Sequence, residues 1–139
     1  MVLERPDSDR INRLTQTVVS CAAEVHRHLG PGLVRPAYLR ALVLELGGAA
    51  APFEADVPVP IAYKGEPLPC SQTVDLVVGG AVLVLVHTVT TLLPSHTAQA
   101  HSLMRLLPAP VGLLLNFDAP VLKNGIRRLV AQEGLLRAS

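Results

Sequence analysis

The sequence predicts an α/β domain in which a mixed central β-sheet is flanked by helices, in the order α-α-β-β-β-α-β-β. Three observations carry this expectation. Apolar residues recur at three- and four-residue steps in three segments, near 9–29, 36–46 and 95–107, the period of helices with one buried face. Residues 71–89, SQTVDLVVGGAVLVLVHTV, form two Val- and Leu-rich arms around Gly79-Gly80, a pair that tolerates the positive φ of a tight hairpin. The arms lack clean polar alternation, so the hairpin is expected at the centre of the sheet with both faces covered.

The elements follow in order. Asp7 or Ser8 can cap the first helix, placed at 9–29, and Ile11, Leu14, Val18, Ala22, Val25 and Leu29 form its apolar stripe. Gly30-Pro31-Gly32 ends it. Pro36 opens a second helix at 36–46, with Leu39, Leu42 and Leu46 inward and Gly47-Gly48 closing it. Phe53–Tyr63 reads as a strand that Pro58 and Pro60 assign to an edge or an irregular stretch. Residues 64–67 turn the chain into the hairpin. The third helix, 95–107, stops at Pro108 and Pro110. Val111–Asn116 is a short buried strand, residues 123–130 an edge strand or last turn, and the tail from Ala131 onward has helical character.

The 139 residues are expected to form one domain with a core over about 9–130 and short tails. Twelve basic and eleven acidic residues leave a net charge of +1, which favours neither a nucleic acid nor a membrane partner. Charged residues are 17%, against roughly 25% in ordinary soluble domains, while 50% are hydrophobic and only 3% aromatic. Such an aliphatic chain is expected to leave apolar surface for a partner. The Leu- and Val-rich strands and residues 88–103 are the surfaces the sequence offers. Cys21 and Cys70 make neither a disulfide framework nor a metal site, and Cys21 falls on a buried helix face. Residues 1–13 are polar and charged, and the apolar run 81–93 is too short for a bilayer, so the cytoplasm is the expected compartment.

The chemistry is sparse where the core is clearest. From Leu76 to Met104, 29 residues, there is no Asp, Glu, Lys or Arg; Asp75 stands at the edge of that span, and the next acid is Asp118. The helix ending EVHRHLGPGL, Tyr38, the YKG turn at 63–65, the hairpin begun by Asp75, Gln99 on the third helix, LLLNF at 113–117 and the closing KNGIRRLV occur in one order. Together they resemble the GxxExxY family of small bacterial proteins within the PD-(D/E)XK nuclease-like superfamily, over about 11–130. The resemblance implies a restriction-endonuclease-like core.

The resemblance also implies a metal-dependent nuclease site, and the chain departs from it. The naming motif lies at 32–38, GLVRPAY, with Arg35 at the glutamate position. The superfamily's Asp matches Asp75, but its Glu-x-Lys positions are Leu85 and His87; its helical Gln matches Gln99, with Leu103 at the Tyr position. Magnesium takes an octahedral oxygen shell, commonly with one or two carboxylates, and uses it to activate water. Leu85 offers no ligand and His87 is a weak stand-in for a lysine cation.

Asp75 is therefore either a residual metal ligand or a strand-end carboxylate, capped or paired with Arg35. His87 either joins Asp75 in an acid–base or soft-metal pair or is a buried or interface histidine. Gln99 reads as a helix residue satisfied by backbone, His26 and His28 suit a helix C-terminus, and Ser95 and Ser102 form no nucleophile arrangement. Lys123, Arg127 and Arg128, with Arg137 nearby, are the candidate nucleic-acid contacts, although few aromatics are present to stack bases. The leading expectation is a catalytically inactive protein without cofactor that self-associates as a scaffold subunit. The alternative is a magnesium-dependent nuclease or nucleic-acid-binding protein built on Asp75, His87 and Gln99.

Overall fold

A computed structural model describes residues 5–131. The elements are α1 (Arg5–Leu29), α2 (Arg35–Gly48), β1 (Phe53–Tyr63), β2 (Glu66–Val78), β3 (Val82–His87), α3 (Pro94–Leu106), β4 (Val111–Asn116), a 3-10 turn (Leu122–Gly125) and β5 (Ile126–Val130). The strands lie in the order β1-β2-β3-β4-β5. β3 and β4 are parallel and every other pair is antiparallel. The α3 crossover supplies the parallel connection, as two parallel neighbours require.

Two cores sandwich this sheet. Val82, Val84 and Val86 of β3 and Val111, Leu113 and Leu115 of β4 face α1 and α2, meeting Val18, Ala22, Leu42 and Leu46. Leu83, Leu85 and Leu114 face α3, meeting Ala100, Leu103 and Met104. That two-sided burial explains the unbroken apolar runs of β3 and β4. It also corrects one expectation: these Leu- and Val-rich strands are enclosed by the domain's own helices and offer no surface to a partner. Of residues 88–103, Leu103 and Ala100 are core, and Leu93 is exposed.

Several boundaries differ from the sequence reading for identifiable reasons. α1 begins at Arg5, so Asp7 and Ser8 lie within the helix rather than capping it; Pro6 is no obstacle in a first turn. Gly47 and Gly48 complete α2 instead of ending it, because the Ala49 N–H still bonds back to the Glu45 and Leu46 carbonyls. The left-handed residue is Ala50, φ +59°. The β1–β2 turn is only Lys64-Gly65, φ +51° and +83°, and β2 starts at Glu66, with Pro67 and Pro69 inside it. Residues 123–130 divide into the 3-10 turn and β5. The helical tail expected from Ala131 onward, and Arg137, lie outside the described residues.

The predicted hairpin is present, with Gly79 and Gly80 at φ +62° and +68°. Its β3 arm is central, and its β2 arm is covered only in part. β2 pairs with β3 at Leu76, Val77 and Val78 alone, while β1 accompanies β2 for its whole length. Pro58 and Pro60 do lie on an edge strand. Beyond the last β3 pair, β1 and β2 continue as a two-stranded arm, on which residues 66–73 are all exposed. Ala55 and Leu76 pack on the α1/α2 side, whereas Val57 and Val74 belong to the α3 side. Residues two apart in a strand normally share a face, so the ribbon turns over between them, where Asp56 takes φ +53°.

The α1–α2 turn is fixed by Tyr38. Its hydroxyl donates to the Gly30 carbonyl and accepts the Leu33 N–H at 3.0 Å. Its fully buried ring stacks on Phe117 at 4.8 Å and 8°. Tyr38→Phe keeps the stack and removes both hydrogen bonds. Urea unfolding is expected to show a loss of about 1–2 kcal/mol with an unchanged slope.

Candidate functional site

Past the Leu76–Val84 pair, β2 and β3 separate, and the Val86 N–H loses the backbone acceptor that an ongoing ladder would give it. Asp75 replaces that acceptor: its Oδ2 takes the Val86 N–H at 2.8 Å. The carboxylate is nearly enclosed, its side chain 12% exposed, and a buried charge at such a place needs a partner. Arg35, the first residue of α2, supplies it. Its Nη1 donates to Asp75 Oδ1 at 2.9 Å and Oδ2 at 3.0 Å and reaches the Val86 carbonyl at 3.3 Å. Both Asp75 oxygens are thereby engaged.

This ion pair forms one wall of an open pocket of about 240 Å³, lined also by Thr73, Leu85, His87, Gln99 and Leu103. The structure thus gathers Asp75, Leu85, His87, Gln99 and Arg35, from four different elements, at one place. Leu85 is 5% exposed and belongs to the core under α3. Gln99 is exposed on α3, and among the described residues its side chain has no hydrogen-bond partner, backbone included, contrary to the expectation that backbone would satisfy it.

His87 is half-buried at the end of β3 and held in register by the following segment. The Phe117 N–H donates to the His87 carbonyl at 3.0 Å. Buried Asn116 clamps Val89, accepting its N–H at 3.0 Å and donating to its carbonyl at 2.8 Å. Gly125 permits this clamp, since a Cβ there would stand 2.5 Å from the Asn116 carbonyl oxygen. The His87 ring lies 4.8 Å from that of His96, and its Nε2 is buried without a hydrogen-bond partner. Burial, and next the neighbouring His96, hold the imidazole below its ordinary pKa; Asp75 opposes this and Arg35 adds to it. His96 in turn uses Nδ1 to accept the Leu93 N–H at 2.8 Å, at the start of α3. Nothing in the sequence marks the His87–His96 contact, because it joins a strand to the helix laid across it.

The remaining candidates lie elsewhere. Arg127 and Arg128 are neighbours on β5, so they leave opposite faces of the sheet. Arg127 pairs in register with Leu114 on the α3 side and Arg128 with Leu113 on the α1 side. Lys123 is exposed on the 3-10 turn. The three cations therefore do not form a single-faced patch. His26 Nε2 contacts the Ala119 carbonyl at 2.8 Å, and His28 pairs with Glu24 at 2.9 Å. Cys21 is buried, which pushes its thiol pKa up, while Cys70 is exposed on the arm; both are free. Among the described residues no three His, Cys, Asp or Glu side chains gather as a metal centre, and no helix is long and apolar enough to cross a membrane.

A five-stranded mixed sheet with helices on both faces, and a carboxylate where the β2–β3 hairpin opens, is a restriction-endonuclease-like core. The chain belongs to the PD-(D/E)XK nuclease superfamily, whose model matches residues 12–129. No curated protein and no solved structure matches it. The superfamily implies a divalent metal at Asp75. The donor set here does not fit a hard, oxygen-seeking dication: one carboxylate already bound by a guanidinium, a leucine and an imidazole.

Two predictions follow from this geometry. Arg35→Ala strands a buried carboxylate and is expected to cost about 1–3 kcal/mol, moderated because Arg35 is itself 43% exposed. Asp75→Asn in that background should recover part of the loss in a double-mutant cycle. For His87, folded and unfolded states are both neutral well above the unfolded pKa of about 6.5. Below it the unfolded chain binds a proton that the folded chain resists, so stability falls as pH drops through that value. His87→Gln should flatten the decline between about pH 7.5 and 5.5 in urea titrations.

Proposed function

We propose that this chain is a GxxExxY-type member of the superfamily that does not cleave nucleic acid and serves, without a metal cofactor, as a self-associating scaffold subunit of the cytoplasm. One observation carries the loss of chemistry: the Arg35 guanidinium sits on both oxygens of Asp75. A fixed cation there opposes a dication by direct repulsion and by consuming its best ligand. Leu85 and His87, where the superfamily has Glu and Lys, remove the second carboxylate and the permanent charge beside it.

Self-association is supported by the arm. An isolated two-stranded ribbon is marginal in water, yet β1 and β2 extend past the sheet with Tyr63 61% and Leu68 38% exposed. The arm is charged only at its tip, Lys64 and Glu66, from Val57 through Val74. Pro58, Pro60, Pro67 and Pro69 remove donors, which disfavours strand addition. Packing of a face against another copy fits this better than edge pairing. Val34, the residue before α2, is 71% exposed and adds apolar surface.

Two assays test the two halves separately. With magnesium or manganese and single- or double-stranded substrates, no cleavage is expected; metal-dependent cleavage lost in Asp75→Ala would establish the nuclease reading instead. Light scattering at micromolar concentration is expected to give a mass several times that of one chain, reduced by Tyr63→Glu with Leu68→Glu. A monomeric parent protein overturns the scaffold reading whatever the nuclease result.

A further inference from the structure

The sheet face covered by α1 and α2 is covered unevenly. α1 contacts both β3 and β4 while α2 contacts β3, and α1 reaches the edge strand β5, where Arg128 bonds Asn12. Between α1 and β5 opens a cleft of about 470 Å³. Val19, Leu113 and Ile126 make its apolar floor, and Gln16 and Ser20 stand at its rim. Arg128 closes one side. The cleft lies on the far side of the sheet from α3 and shares no residue with the Asp75 pocket.

The state of Arg128 gives this cleft a chemical preference. Its Nη2 donates to Asn12 Oδ1 at 3.0 Å. A neutral amide oxygen orients a guanidinium without cancelling its charge. Among the described residues no carboxylate pairs with Arg128, whereas Arg27, Arg35 and Arg40 each have one. An oriented cation with no carboxylate partner among the described residues, at the border of an apolar floor, is an arrangement that an amphipathic anion completes. The planar fork suits a carboxylate, which can accept two parallel N–H bonds. A polyanion is disfavoured, because Arg127, the neighbouring cation on β5, leaves the opposite face.

We propose that the cleft between α1 and β5 binds a small monocarboxylate with an apolar body, the carboxylate on Arg128 and the body on Val19, Leu113 and Ile126. The site is independent of the scaffold reading, since it uses neither the arm nor the Asp75 pocket. It also gives Arg128 a role that does not require nucleic acid.

The test is a titration of the full chain with octanoate and, separately, with 1-octanol, followed by amide chemical shifts. Octanoate is expected to shift residues of α1 around 12–20 and of β5 in a saturable way, and octanol to bind more weakly at the same residues. Arg128→Gln should weaken octanoate about tenfold or more, the effect of losing a charged hydrogen bond, while leaving octanol unchanged. Val19→Trp, which fills the floor, should abolish both. Absence of saturable shifts at low-millimolar octanoate overturns the proposal. So does an Arg128→Gln protein, shown folded by its spectrum, that binds octanoate as the parent does, because the anion would then contribute nothing.

Discussion

At Asp75 the fold must satisfy two requirements with one side chain. The β2–β3 ladder ends at Leu76 and Val84, yet β3 runs on to His87 in a buried setting, so the Val86 N–H needs an acceptor that β2 backbone no longer provides. A carboxylate meets that need but introduces a charge that must itself be balanced. Arg35 balances it, and does so from the first residue of a helix, where the macrodipole disfavours a cation. The ion pair thus fixes where α2 begins. The preceding turn is then closed by Tyr38, whose ring lies on Phe117 at the exit of β4. A gap in one ladder is connected in this way to the placement of a helix, a turn and the exit of β4.

On the function proposed above, the same gap lets a nuclease-like frame persist without nuclease chemistry. In a metal-dependent site, a carboxylate at the opening of a hairpin would be oriented toward an ion. Here its orientation is maintained by an arginine and a backbone amide, which meet the structural demand completely. Leu85 then joins the α3 core with no loss to packing, and His87 rests against His96. Fold and reaction are separable because the structural role of Asp75 requires only a countercharge of either kind.

Opening of the ladder also frees the β1–β2 ribbon. Because β3 accompanies β2 for three residues only, the rest of β2 has β1 as its sole neighbour, and the ribbon turns over near Asp56 and Asp75. The arm and the Asp75 pocket are thus two results of a single parting of strands. Thr73, on the arm side of that parting, lines the pocket.

Much of the architecture was legible in the chain itself. The element order, the Gly79-Gly80 turn, the edge position of the strand carrying Pro58 and Pro60, and the Leu39, Leu42 and Leu46 face all follow from local periodicity and backbone sterics. These are short-range properties that each segment carries with it. The positions around the site were legible through resemblance, including a pairing of Asp75 with Arg35 as one of two readings. Tertiary structure alone formed the pair, since residues 40 apart meet only once α2 is laid across the open ladder. It also set His87 against His96, parted Arg127 from Arg128 through the pleat of β5, and enclosed the Leu- and Val-rich strands that composition had offered as surface. An apolar run looks the same in sequence whether it faces its own helices or a partner, because periodicity records burial and not what does the burying.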